Sequence, residues 1–262
     1  DGLTLGSLSL TNDVVFTAPA SLTLSGSLAN GGTFTAGSGT VTFVSPQTQT
    51  ISGNPIDFYN LVIDDANNTD GVNDTRATAI VNVTNQLSIA DGKFSPTQCG
   101  QYANVSIAAD GVFAPETDGT CAQAVSGSWV NDGAFTAGTS KVAFNGSSAQ
   151  SISGAAQTIL TDLEFANTSG QAVTSAEPLV LNVTGELLVS AGSAAVPAGS
   201  SAGDVSIQTG ASLSGPADNW SVSGDWNNQG NYLANNGNVI FSGSGAHGLS
   251  GETAFYQLTA ED

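Results

Sequence analysis

The chain has 262 residues and a net charge of −19 at pH 7, from 22 acidic and only 3 basic side chains. Such a field repels nucleic acid and anionic lipid, which excludes both as partners, and it either favours divalent cations or only keeps the protein soluble. Hydrophobic residues make up 40% of the chain, enough for a core, yet no stretch approaches the ~18 apolar residues of a membrane-spanning helix. Methionine is absent even at position 1, as expected for a secreted chain processed at its N terminus.

The first predicted elements are short strands. Apolar and polar residues alternate over residues 3–10, the period-two pattern of a strand with one buried face. The same alternation recurs along the chain, most clearly over residues 81–89 and 181–189. Because no segment has a sustained apolar stripe of helical period, we predict an all-β protein.

One sequence block occurs three times without a gap. The copies cover residues 26–53, 127–154 and 224–251, and therefore start 101 and 97 residues apart. Small extended repeats of this kind bury their apolar faces against stacked neighbours. We predict a single continuous parallel β-solenoid (β-helix) over residues 1–262, with repeat cores 8–63, 105–165 and 205–258 and connecting turns 64–104 and 166–204. Tandem β-sandwich domains are the alternative.

Apolar residues recur at equivalent places in the three copies. They are Leu28, Trp129 and Trp226; Phe34, Phe135 and Tyr232; Val41, Val142 and Val239; and Phe43, Phe144 and Phe241. This recurrence predicts columns of like residues inside the solenoid. For the two tryptophans, an exposed aromatic strip that grips sugar rings is the alternative.

Glycine and asparagine recur in the same way. The glycines are Gly26, Gly127 and Gly224 in one place and Gly32, Gly133 and Gly230 in another. They predict either positive φ or close contact with the neighbouring turn. Asn30, Asn131 and Asn228 predict corners and a ladder of stacked amides.

An acidic, glycine-containing segment follows the first copy. Its carboxylates Asp64, Asp65, Asp70 and Asp74 are oxygen ligands of the type that Ca²⁺ prefers. The spacing matches neither an EF-hand nor a nonapeptide calcium repeat, so a plain solvated loop is the alternative to a structural Ca²⁺ site.

The two cysteines, Cys99 and Cys121, come next along the chain. In a secreted protein a single pair predicts a disulfide, here one that closes the intervening loop. Two free buried thiols in an intracellular protein are the alternative.

Catalytic residues are not apparent. Asp162 and Glu164 are predicted on one face of a strand, but acidic residues are common on this chain. The single histidine, His247, stands where the other copies have Gln49 and Gln150, which indicates a variant of the repeat and not a catalyst. A Ser-His-Asp triad has no visible third partner. We therefore predict that the protein is not an enzyme.

Eight N-glycosylation sequons occur in the sequence. They are centred on Asn67, Asn73, Asn82, Asn104, Asn145, Asn167, Asn182 and Asn219. Their use would fit a surface protein.

The pattern G-x-W-x-N-x-G-x-F-T-A-G-x-x-x-V-x-F, followed by Q-x-I-S-G and F-Y-x-L, covers most of the chain. It resembles the repeats of large β-helical surface proteins of bacteria and archaea, the adhesin-like and filamentous-haemagglutinin-like exoproteins. The residues that carry the resemblance are Trp129/Trp226, Asn131/Asn228, Gly133/Gly230, Ile152 and Phe58-Tyr59/Phe255-Tyr256. The resemblance implies a parallel β-helix at a cell surface and carries no catalytic residues over.

The two ends lack an obvious polar cap. An uncapped solenoid end is an open sheet edge that invites another chain to continue the stack. We therefore expect a secreted structural subunit that polymerises with itself, head to tail, into a filament or sheath, through Leu3, Leu5, Leu8, Leu10, Phe255, Tyr256 and Leu258. The alternatives are an adhesin fragment that binds glycans or a surface and, as a third option, a polysaccharide-active β-helix enzyme.

Overall fold

The computed structural model describes residues 2–65, 74–169, 172–175 and 179–261. These residues form 32 strands and no helix. Their parallel strands stack into a β-solenoid of about 12 turns. The predicted fold class is thereby confirmed, and the β-sandwich alternative is wrong because sandwiches are built from antiparallel sheets.

The strands are short and follow one another closely. The first sixteen are Gly2–Leu5 (β1), Leu8–Leu10 (β2), Val15–Thr17 (β3), Ser21–Leu24 (β4), Leu28–Asn30 (β5), Thr33–Thr35 (β6), Thr40–Phe43 (β7), Gln49–Gly53 (β8), Ile56–Asp64 (β9), Asp74–Ala77 (β10), Val81–Pro96 (β11), Gln101–Phe113 (β12), Ala122–Val125 (β13), Trp129–Asn131 (β14), Ala134–Phe135 (β15) and Lys141–Phe144 (β16). The remaining sixteen are Gln150–Ser153 (β17), Thr158–Leu160 (β18), Asp162–Ala166 (β19), Ala172–Ser175 (β20), Leu181–Val183 (β21), Glu186–Ala191 (β22), Ser193–Ala195 (β23), Ser201–Ala202 (β24), Asp204–Ile207 (β25), Ser212–Ser214 (β26), Asn219–Val222 (β27), Trp226–Asn228 (β28), Asn231–Leu233 (β29), Asn238–Phe241 (β30), Leu249–Gly251 (β31) and Gln257–Ala260 (β32).

Two compact units make up the chain. The first comprises Asp1–Val125 and Val130–Ser140, and the second comprises Ser126–Trp129 and Lys141–Asp262. The single solenoid over residues 1–262, with its division into repeat cores and connecting turns, stays a prediction.

In the first unit, strands of successive turns pair in parallel ladders. One ladder runs through β1, β4, β7, β9, β11 and β12. A second runs through β2, β5, β8, β10 and β11, and β3 pairs with β6. The strand β11 is long enough to bend round a corner, so it belongs to both ladders.

The second unit has three ladders. The first contains β16, β19, β22, β25, β28 and β31. The second contains β17, β20, β23, β26 and β29, and the third contains β18, β21, β24, β27, β30 and β32. Each turn of this unit therefore contributes one strand to each of three faces, except the last described turn, whose strands β31 and β32 belong to the first and third ladders.

The core is built by alternation within most of the short strands, although in β16 Ala143 is buried together with Val142 and Phe144. Val41 and Phe43 are buried while Thr40 and Thr42 point outward, as predicted. The expected columns of like residues are wrong, however. Val41 stacks on Leu22 and Leu61, which come from the adjacent turns and not from another copy of the block. Contacts between turns join residues 19 to 27 positions apart. Equivalent residues of two copies, which are 101 or 97 positions apart, therefore lie several turns from each other.

The recurrent glycines mark places where successive turns approach closely. A Cβ atom placed on Gly230 would lie 2.5 Å from the carbonyl oxygens of both Gln208 and Ala211, in the preceding turn. Gly32 and Gly133 meet backbone oxygens in the same manner. None of these three has positive φ, so close contact is the reason for glycine here.

The recurrent asparagines are buried, but they do not form the predicted ladder of stacked amides. Asn30 Nδ2 lies 3.3 Å from the carbonyl oxygen of Pro55, and Asn228 Nδ2 lies 2.7 Å from that of Glu252. The amides of Asn30 and Asn228 therefore both donate to the backbone of the following turn. Buried backbone oxygens at a corner need such donors, which explains the recurrence better than amide stacking does.

A disulfide joins Cys99 and Cys121, as predicted, with their Cα atoms 6.0 Å apart and a sequence separation of 22. The separation is that of one turn, so the bridge links two neighbouring turns. Gln123 reinforces the same corner, since its Oε1 accepts a hydrogen bond from the Gly100 amide at 3.0 Å. Disulfides of this kind are typical of proteins that mature in an oxidising compartment.

Candidate functional site

The first turn, formed by β1, β2 and β3, carries strand edges without a partner in the described part of the chain. β1 pairs with β4, β2 with β5 and β3 with β6, each on one side. Leu3 is 38% exposed and Val15 is 67% exposed. Leu5 and Leu8 are partly exposed, whereas Leu10, also predicted as a contact residue, is buried.

The last described turn, formed by β31 and β32, also carries strand edges that have no partner among the described residues. β31 pairs with β28 and β32 with β30, and the described residues supply no strand for their other edges. Tyr256 and Leu258 are exposed, as predicted for contact residues. Phe255 differs, because it turns inward, with its ring centroid 5.1 Å from that of Trp226 and 5.8 Å from that of Tyr232.

The other copies of the repeat show how the counterparts of Leu258 are packed. Leu61 is the counterpart of Leu258 and is fully buried beneath Leu87 of the next turn. Leu163 is likewise buried beneath Leu187. Leu258, in contrast, remains 46% exposed. The last described turn therefore presents an apolar side chain whose counterparts, Leu61 and Leu163, are each covered by a strand of the next turn.

The predicted calcium ligands do not form a metal site among the described residues. Asp70 lies outside the described residues. Asp65 is buried, while the Asp74 carboxylate lies 3.6 Å from Lys93 Nζ. The described residues contain no group of three or more histidine, cysteine or acidic side chains arranged to hold a metal ion. The calcium site, which also includes Asp64, stays a prediction.

Asp65 instead occupies an inward position at the end of the Leu61, Ile63 alternation. One carboxylate oxygen accepts the Ser45 amide at 2.9 Å and the other accepts the Thr75 hydroxyl at 3.4 Å. Burial raises the pKa of Asp65 to about 6, although the two hydrogen bonds partly oppose this. A carboxylate is therefore held in the core where it is costly to ionise.

We predict that Asp65→Asn stabilises the protein at pH 8. The folded-state pKa lies above the unfolded value of about 3.9, so the folded protein binds the proton more tightly and becomes more stable as the pH falls through 6. The asparagine variant lacks this cost of ionisation, on the order of 2–3 kcal/mol between pH 8 and pH 4. Urea unfolding across this range will show a flatter profile for the variant. Asp13→Asn, at an exposed site, is the control, and an equal effect of both substitutions would contradict the argument.

The acidic pair Asp162 and Glu164 shares the outward face of β19, as predicted, but each is engaged structurally. Asp162 accepts the Glu186 amide at 2.8 Å. Glu164 lies 2.6 Å from Lys141 Nζ and also accepts a hydrogen bond from Ser190. Burial alone would raise the pKa of Glu164, but these contacts together lower it, which is opposite to what a general acid needs.

His247 performs the structural task of the glutamines that it replaces. Gln49 and Gln150 donate to the carbonyl oxygens of Gly26 and Gly127, both at 2.8 Å. His247 Nδ1 lies 3.0 Å from the equivalent oxygen of Gly224. This geometry supports its interpretation as a variant of the repeat.

The tryptophans at the recurrent positions, Trp129 and Trp226, are each 1% exposed. They are therefore core residues, and the alternative of an exposed aromatic strip at these positions is wrong.

The predicted sequons differ in accessibility. Asn145 and Asn219 are exposed, and Asn82, Asn104 and Asn182 are half-buried. Asn167 is buried and donates to Gln150 Oε1 at 2.8 Å, so a glycan there requires the segment to open. Asn67 and Asn73 lie outside the described residues.

No protein-family model, curated protein or solved structure matches this chain. Within the described part, none of the elements is a helix that could cross a membrane.

Proposed function

We propose that the protein is a non-enzymatic structural subunit of an extracellular filament or sheath, in which copies stack end to end. The observation that supports this proposal is the exposure of apolar side chains on the first and last described turns, represented by Leu3 and by Leu258. Unpaired parallel strand edges can be extended by another chain, and contact between unlike ends propagates instead of closing. The disulfide between Cys99 and Cys121 agrees with an extracellular location.

The net charge of −19 sets the conditions for such assembly. Copies of the same strongly acidic chain repel one another. At physiological ionic strength, salt screens this repulsion between charges that are more than about 8 Å apart. Stacking should therefore strengthen as the salt concentration rises, whereas an assembly held by charge pairs would weaken.

We predict that Leu258→Lys and Leu3→Lys each reduce end-to-end assembly by about tenfold or more, because each buries an unpaired charge in the new contact. Analytical ultracentrifugation at about 0.15 M and about 1 M NaCl, with electron microscopy of the concentrated protein, measures this. Ile159→Lys and Ile80→Lys are the matched controls, since these side chains are 48% and 38% exposed and belong to neither the first nor the last described turn. A wild-type chain that stays monomeric at every salt concentration contradicts the proposal, as does an equal effect of the controls.

A further inference from the structure

A polar groove lies on the outer side of β22, β25 and β28 in the second unit. It encloses about 460 Å³ and is lined chiefly by Glu186, Leu188, Ser206, Gln208, Asn227 and Gln229. This volume is within the range of small-ligand sites, about 300–1,000 Å³. None of the lining residues belongs to the first or the last described turn, although β28 pairs with β31 of the last described turn.

The regular register of the ladder creates this groove. Leu188 pairs with Ser206, and Ser206 pairs with Asn227, so the three side chains stand in one outward column. Successive strands lie about 4.8 Å apart, which spaces these groups evenly along the groove. Gln208 and Gln229 follow the ends of β25 and β28 and form its wall.

Most of the polar side chains in the groove form no hydrogen bond with other described residues. Elsewhere on the surface, polar side chains commonly bond from turn to turn, as Ser201 does to Asn182 at 2.6 Å. In the groove Asn227 accepts one hydrogen bond from Ser250 at 3.1 Å. Within the described residues, the side chains of Ser206, Gln208 and Gln229 have no internal hydrogen-bond partner.

We propose that this groove binds a neutral oligosaccharide. Amide and hydroxyl groups can both donate to and accept from sugar hydroxyls, and Leu188 supplies an apolar surface for the C–H face of a sugar ring. Glu186 is its one charged lining residue and is acidic, as is the chain as a whole, so acidic and sulfated sugars are disfavoured. Because the groove is open, we expect a Kd on the order of 1 mM.

The test uses the full chain and a panel of neutral cello-, manno-, xylo- and chito-oligosaccharides, with binding followed by NMR chemical-shift changes. The double variant Gln208→Ala/Gln229→Ala should bind about tenfold more weakly, since it lacks two of the hydrogen-bonding side chains. Gln101→Ala, at an exposed site on β12, should bind as the wild type does.

Three results would overturn the proposal. One is the absence of binding to every neutral sugar at tens of millimolar, and another is undiminished binding by a double variant that keeps the wild-type circular dichroism spectrum. The third is a preference for sulfated over neutral sugars, which would place binding at some other surface. If Leu3→Lys or Leu258→Lys loses end-to-end assembly but still binds the sugar, the binding belongs to the groove and not to the contact between copies.

Discussion

Replacement of Trp226 by alanine will lower the free energy of unfolding by about 3–5 kcal/mol, the usual cost of deleting a buried large aromatic side chain. The indole is 1% exposed and lies at the centre of an aromatic cluster, with its ring centroid 4.9 Å from that of Tyr232, 5.1 Å from Phe255 and 5.7 Å from Trp220. Its Nε1 also donates to Thr253 Oγ1 at 3.0 Å. The substitution therefore leaves a cavity and removes one of the two hydrogen bonds that the Thr253 hydroxyl accepts, while the bond from Asn228 Nδ2 at 3.1 Å stays.

The loss should be local, because each turn of a solenoid contacts chiefly its neighbours. Hydrogen exchange followed by mass spectrometry should show faster exchange in β25, β28 and β31, while the ladders of the first unit keep their protection. Tyr256→Ala is the control, since this ring is 66% exposed and its removal should cost under about 1 kcal/mol. Equal costs for the two aromatic residues would show that Trp226 does not support the core.

The period-two alternation and the threefold sequence block together sufficed to predict the parallel solenoid, but not the length of its turns. Sequence similarity repeats at 101 and 97 residues, whereas the structure repeats at every turn. The reason is that a core column accepts any apolar residue of suitable size: Leu22, Val41 and Leu61 stack directly without resembling one another in context. The similarity between copies thus reflects equivalent corners and glycines. It does not indicate which residues are in contact between adjacent turns.

The position of Asp65 could have been predicted, since it continues the inward alternation of Leu61 and Ile63. Its acidic surroundings in the sequence favoured a cation site instead, and the burial was missed. The groove beside β25 could not be predicted in this way. Glu186, Ser206 and Asn227 belong to different turns, and only the register of the ladder brings them together.

Reduction of the Cys99–Cys121 disulfide will lower the free energy of unfolding by about 3 kcal/mol, the value of the chain-entropy model for a loop of this size. The bridge spans one turn, so its removal frees the unfolded chain without removing a ladder. Native contacts at the corner, such as the 3.1 Å hydrogen bond from Gln123 Nε2 to the Gln98 carbonyl oxygen, can hold the folded geometry after reduction. We therefore expect a folded but less stable protein.

Urea unfolding of the native and reduced protein measures this difference, and the double variant Cys99→Ser/Cys121→Ser separates it from side effects of the reductant. The variant should unfold as the reduced protein does, because Cys121 is exposed and Cys99 half-buried, so little packing is lost. Two reactive thiols in the unreduced native protein would contradict the bridge itself. A stability unchanged by reduction would instead mean that the corner is already restrained in the unfolded ensemble, since constraint of that ensemble is the source of the expected stabilisation.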